Sequence, residues 1–117
     1  MDYLSNVRIC IAKRDVRKIK KVLNKVKSNL WDICNLKIEF TGADGLLYVI
    51  FGWQNIEWYL YYTDIFLLVK TLKEFKYKGI PYKFVRIGQR SGDIEQDYCY
   101  DRNNVINSSV FLTYNFA

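Results

Sequence analysis

Positive charge is concentrated in one short stretch of this 117-residue chain. Residues 13–27 contain eight lysine or arginine side chains and a single acid, Asp15, whereas the whole chain has a formal net charge of +6. Such a stretch attracts phosphates or an acidic protein surface, and its binding depends strongly on salt. The alternative is a solvated helix face with no partner. The candidate binding residues are Lys13, Arg14, Arg17, Lys18, Lys20, Lys21, Lys25 and Lys27.

A second candidate site combines aromatic and arginine side chains on one face of a predicted sheet. We expect the face turned towards the helices to consist of Val7, Ile9, Ile11, Val85 and Ile87. The opposite face would then present Arg8, Tyr82, Phe84 and Arg86, with Tyr48 beside them. Some RNA-binding domains stack bases on such a surface, although the signature of the RNA recognition motif is missing. The alternative is that the C-terminal apolar run, residues 110–116, covers this face.

A third candidate is the aromatic connection that precedes the second predicted helix. Its tryptophan and tyrosine side chains are too many for all of them to be buried in a domain of this size, and both residue types are enriched at binding hot spots. The sequence leaves open whether they only pack in the core or form a protein-binding patch. The residues are Trp53, Trp58, Tyr59, Tyr61 and Tyr62.

Few groups in the sequence suit catalysis. Asp93, Glu95 and Asp97 alternate like the start of a calcium loop, but Tyr98 and Asn104 stand where glycine and a bidentate carboxylate are needed, so we expect a solvated loop. The segment 88–92 lacks the ending of a phosphate-binding loop, and we expect a turn there, although Arg86 and Arg90 flank it as a potential anion clamp. Histidine is absent, which removes the commonest activating base and the commonest zinc ligand.

The three cysteines, Cys10, Cys34 and Cys99, are widely spaced and lack a histidine partner. An odd count without a CxxC pair favours free thiols over a disulfide framework, and we expect no catalytic thiol. We therefore predict no enzymatic activity, no metal and no cofactor. The first residues lack the pattern of a signal peptide and no run is long enough to span a membrane, so we expect a cytoplasmic setting with no membrane contact.

The periodicity of the chain predicts a single domain over residues 1–117 with an α+β fold. Alternation predicts strands at residues 7–12, 36–41, 46–51 and 81–88, with a hairpin at 42–45 between the second and the third. Helical spacing connects Val16, Ile19, Leu23, Val26 and Leu30 in one stripe. A second stripe comprises Ile65, Leu68, Leu72 and Phe75. Thr63 or Asp64 would cap the second helix and Gly79 would end it.

The predicted order is that of the ferredoxin-like βαββαβ fold, in which two helices cover one face of an antiparallel sheet. Beyond it we expect a C-terminal loop, with an extra strand at residues 110–116. Half of the chain is apolar and 17% is aromatic, so a dense core is expected.

In size, in its lack of a catalytic constellation and in its composition, the chain resembles the compact proteins of AT-rich bacteria and their phages. The resemblance is one of type and covers no alignable segment. Many such proteins act by occluding a host or defence component, as anti-CRISPR proteins do. The resemblance therefore implies an inhibitor or adaptor that docks on a protein or nucleoprotein partner. The alternative is a nucleic-acid-binding module that uses the basic helix and the aromatic and arginine sheet face, and a small metal-dependent hydrolase at Asp93, Glu95 and Asp97 ranks third.

Overall fold

The computed structural model describes residues 2–99, which form an α+β fold with two helices and a five-stranded antiparallel sheet. The strands are β1 (Ser5–Ala12), β2 (Leu36–Thr41), β3 (Leu47–Ile56), β4 (Tyr82–Gly88) and β5 (Ile94–Cys99). The helices are α1 (Val16–Lys25), which follows a short 3-10 turn at Lys13–Asp15, and α2 (Thr63–Lys78). Their sequence order agrees with the prediction as far as β4.

The sheet has the strand order β2-β3-β1-β4-β5, and every neighbouring pair is antiparallel. The hairpin between β2 and β3 is confirmed. The Gly42 N–H donates to the Leu46 carbonyl at 2.8 Å, and Gly45 has the positive φ of 81° that glycine tolerates. Strand β3 is longer than predicted and continues beyond Gly52 to Ile56.

One face of the sheet carries the larger hydrophobic core. Alternate residues of β1 (Val7, Ile9 and Ile11) form one cluster with buried residues from both helices. Helix α1 contributes Ile19 and Leu23 to this cluster. Helix α2 contributes Ile65, Leu68, Leu72 and Phe75, all four residues of the predicted stripe. The helical periodicity therefore identified the buried residues of α2 correctly.

The other sheet face is buried as well. Its cluster is formed by Cys10, Ala12, Tyr48, Ile50 and Val85. From the edge strand β2, Leu36 and Phe40 pack against this cluster, while Ile38 remains 43% exposed. The predicted alternation of β2 is present, but its apolar side chains lie on the face opposite to the helices.

The predicted facing of β4 is wrong. Tyr82 is aligned with Ile11 and Phe84 with Ile9, and directly opposed residues of an antiparallel pair project to the same face. Tyr82 and Phe84 are therefore buried in the core under the helices, and Val85 lies on the other face. The prediction failed because both faces of the central strands are apolar. Hydrophobicity therefore did not show which of the two alternating sets of β4 side chains faces the helices.

Both helices have ends that differ from the sequence expectation. Helix α1 stops at Lys25 because the chain turns at Lys27, which has a φ of 54°, and Val26 is therefore 37% exposed. Tyr62, and not Thr63 or Asp64, is the N-cap residue of α2, and no side-chain bond caps the helix. Gly79 does end α2 in the left-handed conformation, as predicted.

The segment expected to be an acidic loop is the edge strand β5. Its residues pair in register with β4, with Asp97 opposite Phe84 and Glu95 opposite Arg86. The alternating acids thus follow the two-residue repeat of a strand, which places their carboxylates on one face. The further strand expected at residues 110–116 lies outside the described residues.

Candidate functional site

A cleft of about 950 Å³ lies between α1 and the edge strand β2, and we call it the basic cleft. The register of β2 directs Lys37 and Glu39 to the side of the sheet on which α1 lies, since they align with Phe51 and Val49. The cationic residues that line the cleft are Lys13, Arg17, Lys20, Lys21, Lys25 and Lys37. The other lining residues are Val16, Asn24, Trp31, Ile38, Glu39 and Val49.

The cations of the basic cleft are mostly not neutralised by the fold. Lys13 binds Glu39, the only acid among the described lining residues, with Nζ and Oε1 2.9 Å apart and both side chains about half exposed. Within residues 2–99, Arg17, Lys21 and Lys25 form no ion pair, and all three are exposed. Uncompensated charges around one concave surface produce a positive potential that attracts anions.

The half-buried Trp31 forms part of the floor of the basic cleft. Its ring packs on Phe51 with centroids 5.0 Å apart. The ammonium of Lys37 lies 4.9 Å from the ring centroid and that of Lys20 lies 5.8 Å from it. These cation–π contacts hold two lysines from different elements over one apolar surface.

Five of the eight cations predicted to bind a partner line this cleft, and three do not. Lys18 binds Asp15 of the 3-10 turn at 3.0 Å and lies over the ring of Phe75 from α2. Arg14 and Lys27 are also absent from the lining. Sequence reasoning missed Lys37 and Trp31, because nothing in the sequence reported which side of β2 would face α1.

A second cleft of about 390 Å³ lies between α2, β4 and β5, and we call it the carboxylate pocket. Its charges neutralise one another. Arg86 contacts Asp93 at 2.9 Å and Glu95 at 2.8 Å, while Lys76 binds Asp97 at 3.0 Å and Lys73 approaches it at 3.5 Å. Arg86 is therefore already paired, which disfavours the alternative of an anion clamp formed by Arg86 and Arg90.

These contacts shift the pKa values of the pocket residues. Hydrogen bonds from Arg86 and from the Tyr3 hydroxyl lower the pKa of Asp93 to about 2. Burial acts to raise the pKa of Asp97, but the bonds from Tyr82 and Lys76 outweigh it and the pKa is lowered. Burial, together with the bond to Asp97, raises the pKa of Tyr82. The acids thus stay ionised as ion-pair partners, which is the opposite of what a general acid requires.

The sheet residues predicted to bind nucleic acid do not form a common exposed face. Tyr82 is fully buried, Phe84 is 5% exposed, and Arg86 lines the carboxylate pocket. Arg8 lies on the other face and is 6% exposed, and burial lowers its pKa. Stacking of bases on Tyr82 and Phe84 would require the core to open.

The five aromatic residues of the predicted protein-binding patch divide into two groups. Trp53 and Trp58 are buried in the core, where the Trp53 indole donates to the Leu30 carbonyl at 2.8 Å. Tyr59, Tyr61 and Tyr62 form a cluster of stacked, tilted and edge-on rings, the tyrosine cluster, with centroids 5.0–5.4 Å apart. Tyr61 is 78% exposed, so only this second group offers aromatic surface to a partner.

The three cysteines are free thiols in the described residues. Cys10 is buried, and Cys34 and Cys99 are free and half-buried. Burial raises the pKa of Cys34 to about 11, despite the nearby ammonium of Lys37, which acts to lower it. Residues 2–99 also contain no group of three or more potential metal-ligating side chains.

Neither α1 nor α2 is long and apolar enough to cross a bilayer. Comparisons with known proteins find no similar family, no similar curated protein and no similar solved structure. The geometry of the clefts is therefore the basis on which a function can be inferred.

Proposed function

We propose that this chain is a non-enzymatic binding protein that docks on an anionic partner protein through the basic cleft, and that it acts as an inhibitor or adaptor by occluding that partner. One observation carries the proposal. Six cations from the 3-10 turn, α1 and β2 surround a cleft whose described lining contains a single acid, Glu39. Three of the six, Arg17, Lys21 and Lys25, have no ion-pair partner within residues 2–99.

The apolar floor of the cleft supports a protein partner. Trp31, Val16 and Val49 line the cleft together with the cations, so an occupant would bury apolar surface as well as neutralise charge. Interfaces are typically built in this way, with an apolar centre and a polar rim. The tyrosine cluster supplies a second candidate contact, since Leu60 and Phe66, which are near Tyr61 in sequence, are also exposed.

Nucleic acid is the second candidate, and the density of cations on α1 favours it. The support is weaker than for a protein because Tyr82 and Phe84, the predicted stacking residues, are buried. The ring of Trp31 is only half exposed, and Lys20 and Lys37 already lie over it. Binding of nucleic acid would then rest on phosphate contacts alone.

The fold proposal belongs with this function. We propose that β1 to β4 and the two helices form a ferredoxin-like arrangement to which β5 adds an edge strand. The support is the strand order β2-β3-β1-β4, together with the contribution of both helices to one core cluster. An experimental structure with the two helices on opposite sheet faces would contradict it.

Affinity capture from the producing cells tests the docking proposal, using two matched double variants. Lys21→Gln/Lys25→Gln removes two exposed cleft charges, whereas Lys70→Gln/Lys78→Gln removes two exposed lysines of α2 that lie outside the cleft. We expect the cleft variant to capture less of the partner and the control to capture as much as the unaltered chain. Two exposed ion pairs at about 0.2–1 kcal/mol each correspond to a roughly 2- to 30-fold weakening, which is greatest at low salt.

Nuclease treatment of half of each sample separates the two candidates. A protein partner stays bound after digestion, whereas a complex held by nucleic acid dissociates. Equal capture by both double variants would contradict the role of the cleft. A Leu60→Ser/Tyr61→Ser variant that alone loses the partner would move the docking site to the tyrosine cluster.

A further inference from the structure

The outer edge of β2 borders the basic cleft and is open to pairing. In the described sheet, β2 has a neighbour on one side only, and Lys37, Ile38 and Glu39 are all exposed. The backbone N–H and C=O groups along such an edge can pair with an added strand. The cleft therefore has hydrogen-bonding groups along one wall and cations along the other.

The register identifies which backbone groups point outward. The Gly42 N–H donates to the Leu46 carbonyl, and hydrogen-bonded pairs alternate with non-bonded pairs along an antiparallel ladder. The pairs Phe40–Tyr48 and Ile38–Ile50 are therefore of the bonded type. The outward N–H and C=O groups then belong to Lys37, Glu39 and Thr41.

The two faces of an added strand would meet different surroundings. Residues opposite Lys37 and Glu39 would project into the basic cleft, because opposed residues of neighbouring strands share a face. Their neighbours in sequence would project to the other face, beside the 43% exposed Ile38. An occupant with acidic and apolar residues in alternation matches both surroundings.

We propose that the basic cleft and the edge of β2 together bind an extended acidic segment of a partner protein, which adds to the sheet as a sixth strand beside β2. This inference rests on the proposed function and specifies the form of the partner. The added strand satisfies the outward groups of Lys37, Glu39 and Thr41. Its carboxylates meet Arg17, Lys21 and Lys25, which lack partners within residues 2–99.

A second copy of this chain fits the same edge less well. Pairing β2 with β2 would bring two α1 helices, each with several uncompensated cations, towards each other. Like charges in proximity oppose such an association. Nucleic acid also fits less well, because it cannot use the row of alternating backbone donors and acceptors as a peptide strand does.

The probe is a fluorescent peptide of about eight residues in which glutamate and valine alternate, a typical strand length. A peptide of the same composition with the glutamates and valines in separate blocks keeps the charge but loses the alternation. We expect fluorescence anisotropy to show binding of the alternating peptide at low salt and weaker binding of the block peptide. In NMR spectra, the amides of Lys37, Glu39 and Thr41 should shift and exchange more slowly with solvent.

Two substitutions at Glu39 separate charge from strand addition. Glu39→Gln keeps the N–H and releases Lys13, so it should tighten binding several-fold. Glu39→Pro removes the outward N–H, which an edge position tolerates, and should weaken binding relative to Glu39→Gln by about tenfold. A loss of binding by the proline variant can also result from impaired folding. N-methylating the peptide at alternate residues therefore provides a second measurement on the unaltered protein. One of the two N-methyl patterns should abolish binding and the other should not.

Strand addition at β2 and binding in the basic cleft can fail independently in these experiments. If Lys21→Gln/Lys25→Gln weakens binding but Glu39→Pro and both N-methyl patterns do not, strand addition is wrong and the basic cleft still binds. If the lysine variant has no effect, the proposed function fails as well. Binding of single-stranded RNA but not of the peptide, or a dimer in sedimentation without peptide, would overturn the inference in favour of those occupants.

Discussion

The two clefts on the helix side of the sheet differ in how their charges are compensated. In the carboxylate pocket, Asp93, Glu95 and Asp97 are matched by Arg86, Lys73 and Lys76. In the basic cleft, the part of the chain that the structure describes places one acid among six cations. The number of charged residues therefore does not mark a binding site. A site is marked by the charges that the fold leaves without partners.

The physical origin of the difference lies in the edge strands. Strand β5 carries acids on the face that meets α2 and so neutralises the lysines of that helix. Strand β2 presents Lys37 and Glu39 to α1, which adds as much positive as negative charge. The net positive charge of α1 is therefore not reduced by the strand beside it. Three experiments, in order of decreasing effect, test this comparison.

The largest effect is expected from the core that both clefts share. Leu72 of α2 is 2% exposed, and Leu72→Ala should reduce the free energy of unfolding by about 2–5 kcal/mol, because it removes buried methyl groups and leaves a cavity. Val26→Ala is the control, since Val26 is 37% exposed at the end of α1 and should cost less than about 1 kcal/mol. Urea unfolding measures both, and a small loss at Leu72 would mean that α2 is not anchored as described.

The same substitution in each cleft tests compensation directly. Arg86→Met removes the partner of Asp93 and Glu95 and should destabilise the fold by about 1.5–3 kcal/mol, the range for hydrogen bonds to charged groups. Arg17→Met removes an exposed cation with no ion pair within residues 2–99 and should change stability by less than about 0.5 kcal/mol. Equal losses in urea unfolding would show that the two clefts do not differ in this way.

Acid titration is expected to give the smallest and most specific effect. The pKa of Asp93 is about 2 in the folded chain against a usual 3.8, so its ion pair stabilises the fold above pH 3.8. That stability is lost as the pH falls from about 4 to about 2, because the unfolded chain binds the proton first. Urea unfolding between pH 2 and 7 should show this loss in the unaltered protein and in Arg17→Met.

The loss of stability between about pH 4 and about pH 2 should be smaller in Arg86→Met, in which the pKa of Asp93 returns towards its usual value. An equal loss in that variant would contradict the assignment of the stabilising contact to Arg86.

Much of the fold followed from local patterns. The stripe of α2, the stop at Gly79 and the hairpin at 42–45 were predicted correctly because periodicity, capping and turn chemistry depend on neighbours in sequence. Strand β5 was missed because alternating acids were interpreted as a loop. Alternation remains a strand signal when the alternating residues are charged and a facing helix is basic.

The sequence by itself determined that positive charge is concentrated in residues 13–27, because that count needs no structure. Only the tertiary structure decided which charges remain available. The facing of β4, with Tyr82 and Phe84 buried and Val85 on the other side, depends on pairing with β1. The position of Lys37 beside Trp31 depends on the register of β2 on β3. Both are non-local choices, and a shift of one residue in register would exchange the two faces of the strand and change the character of the cleft.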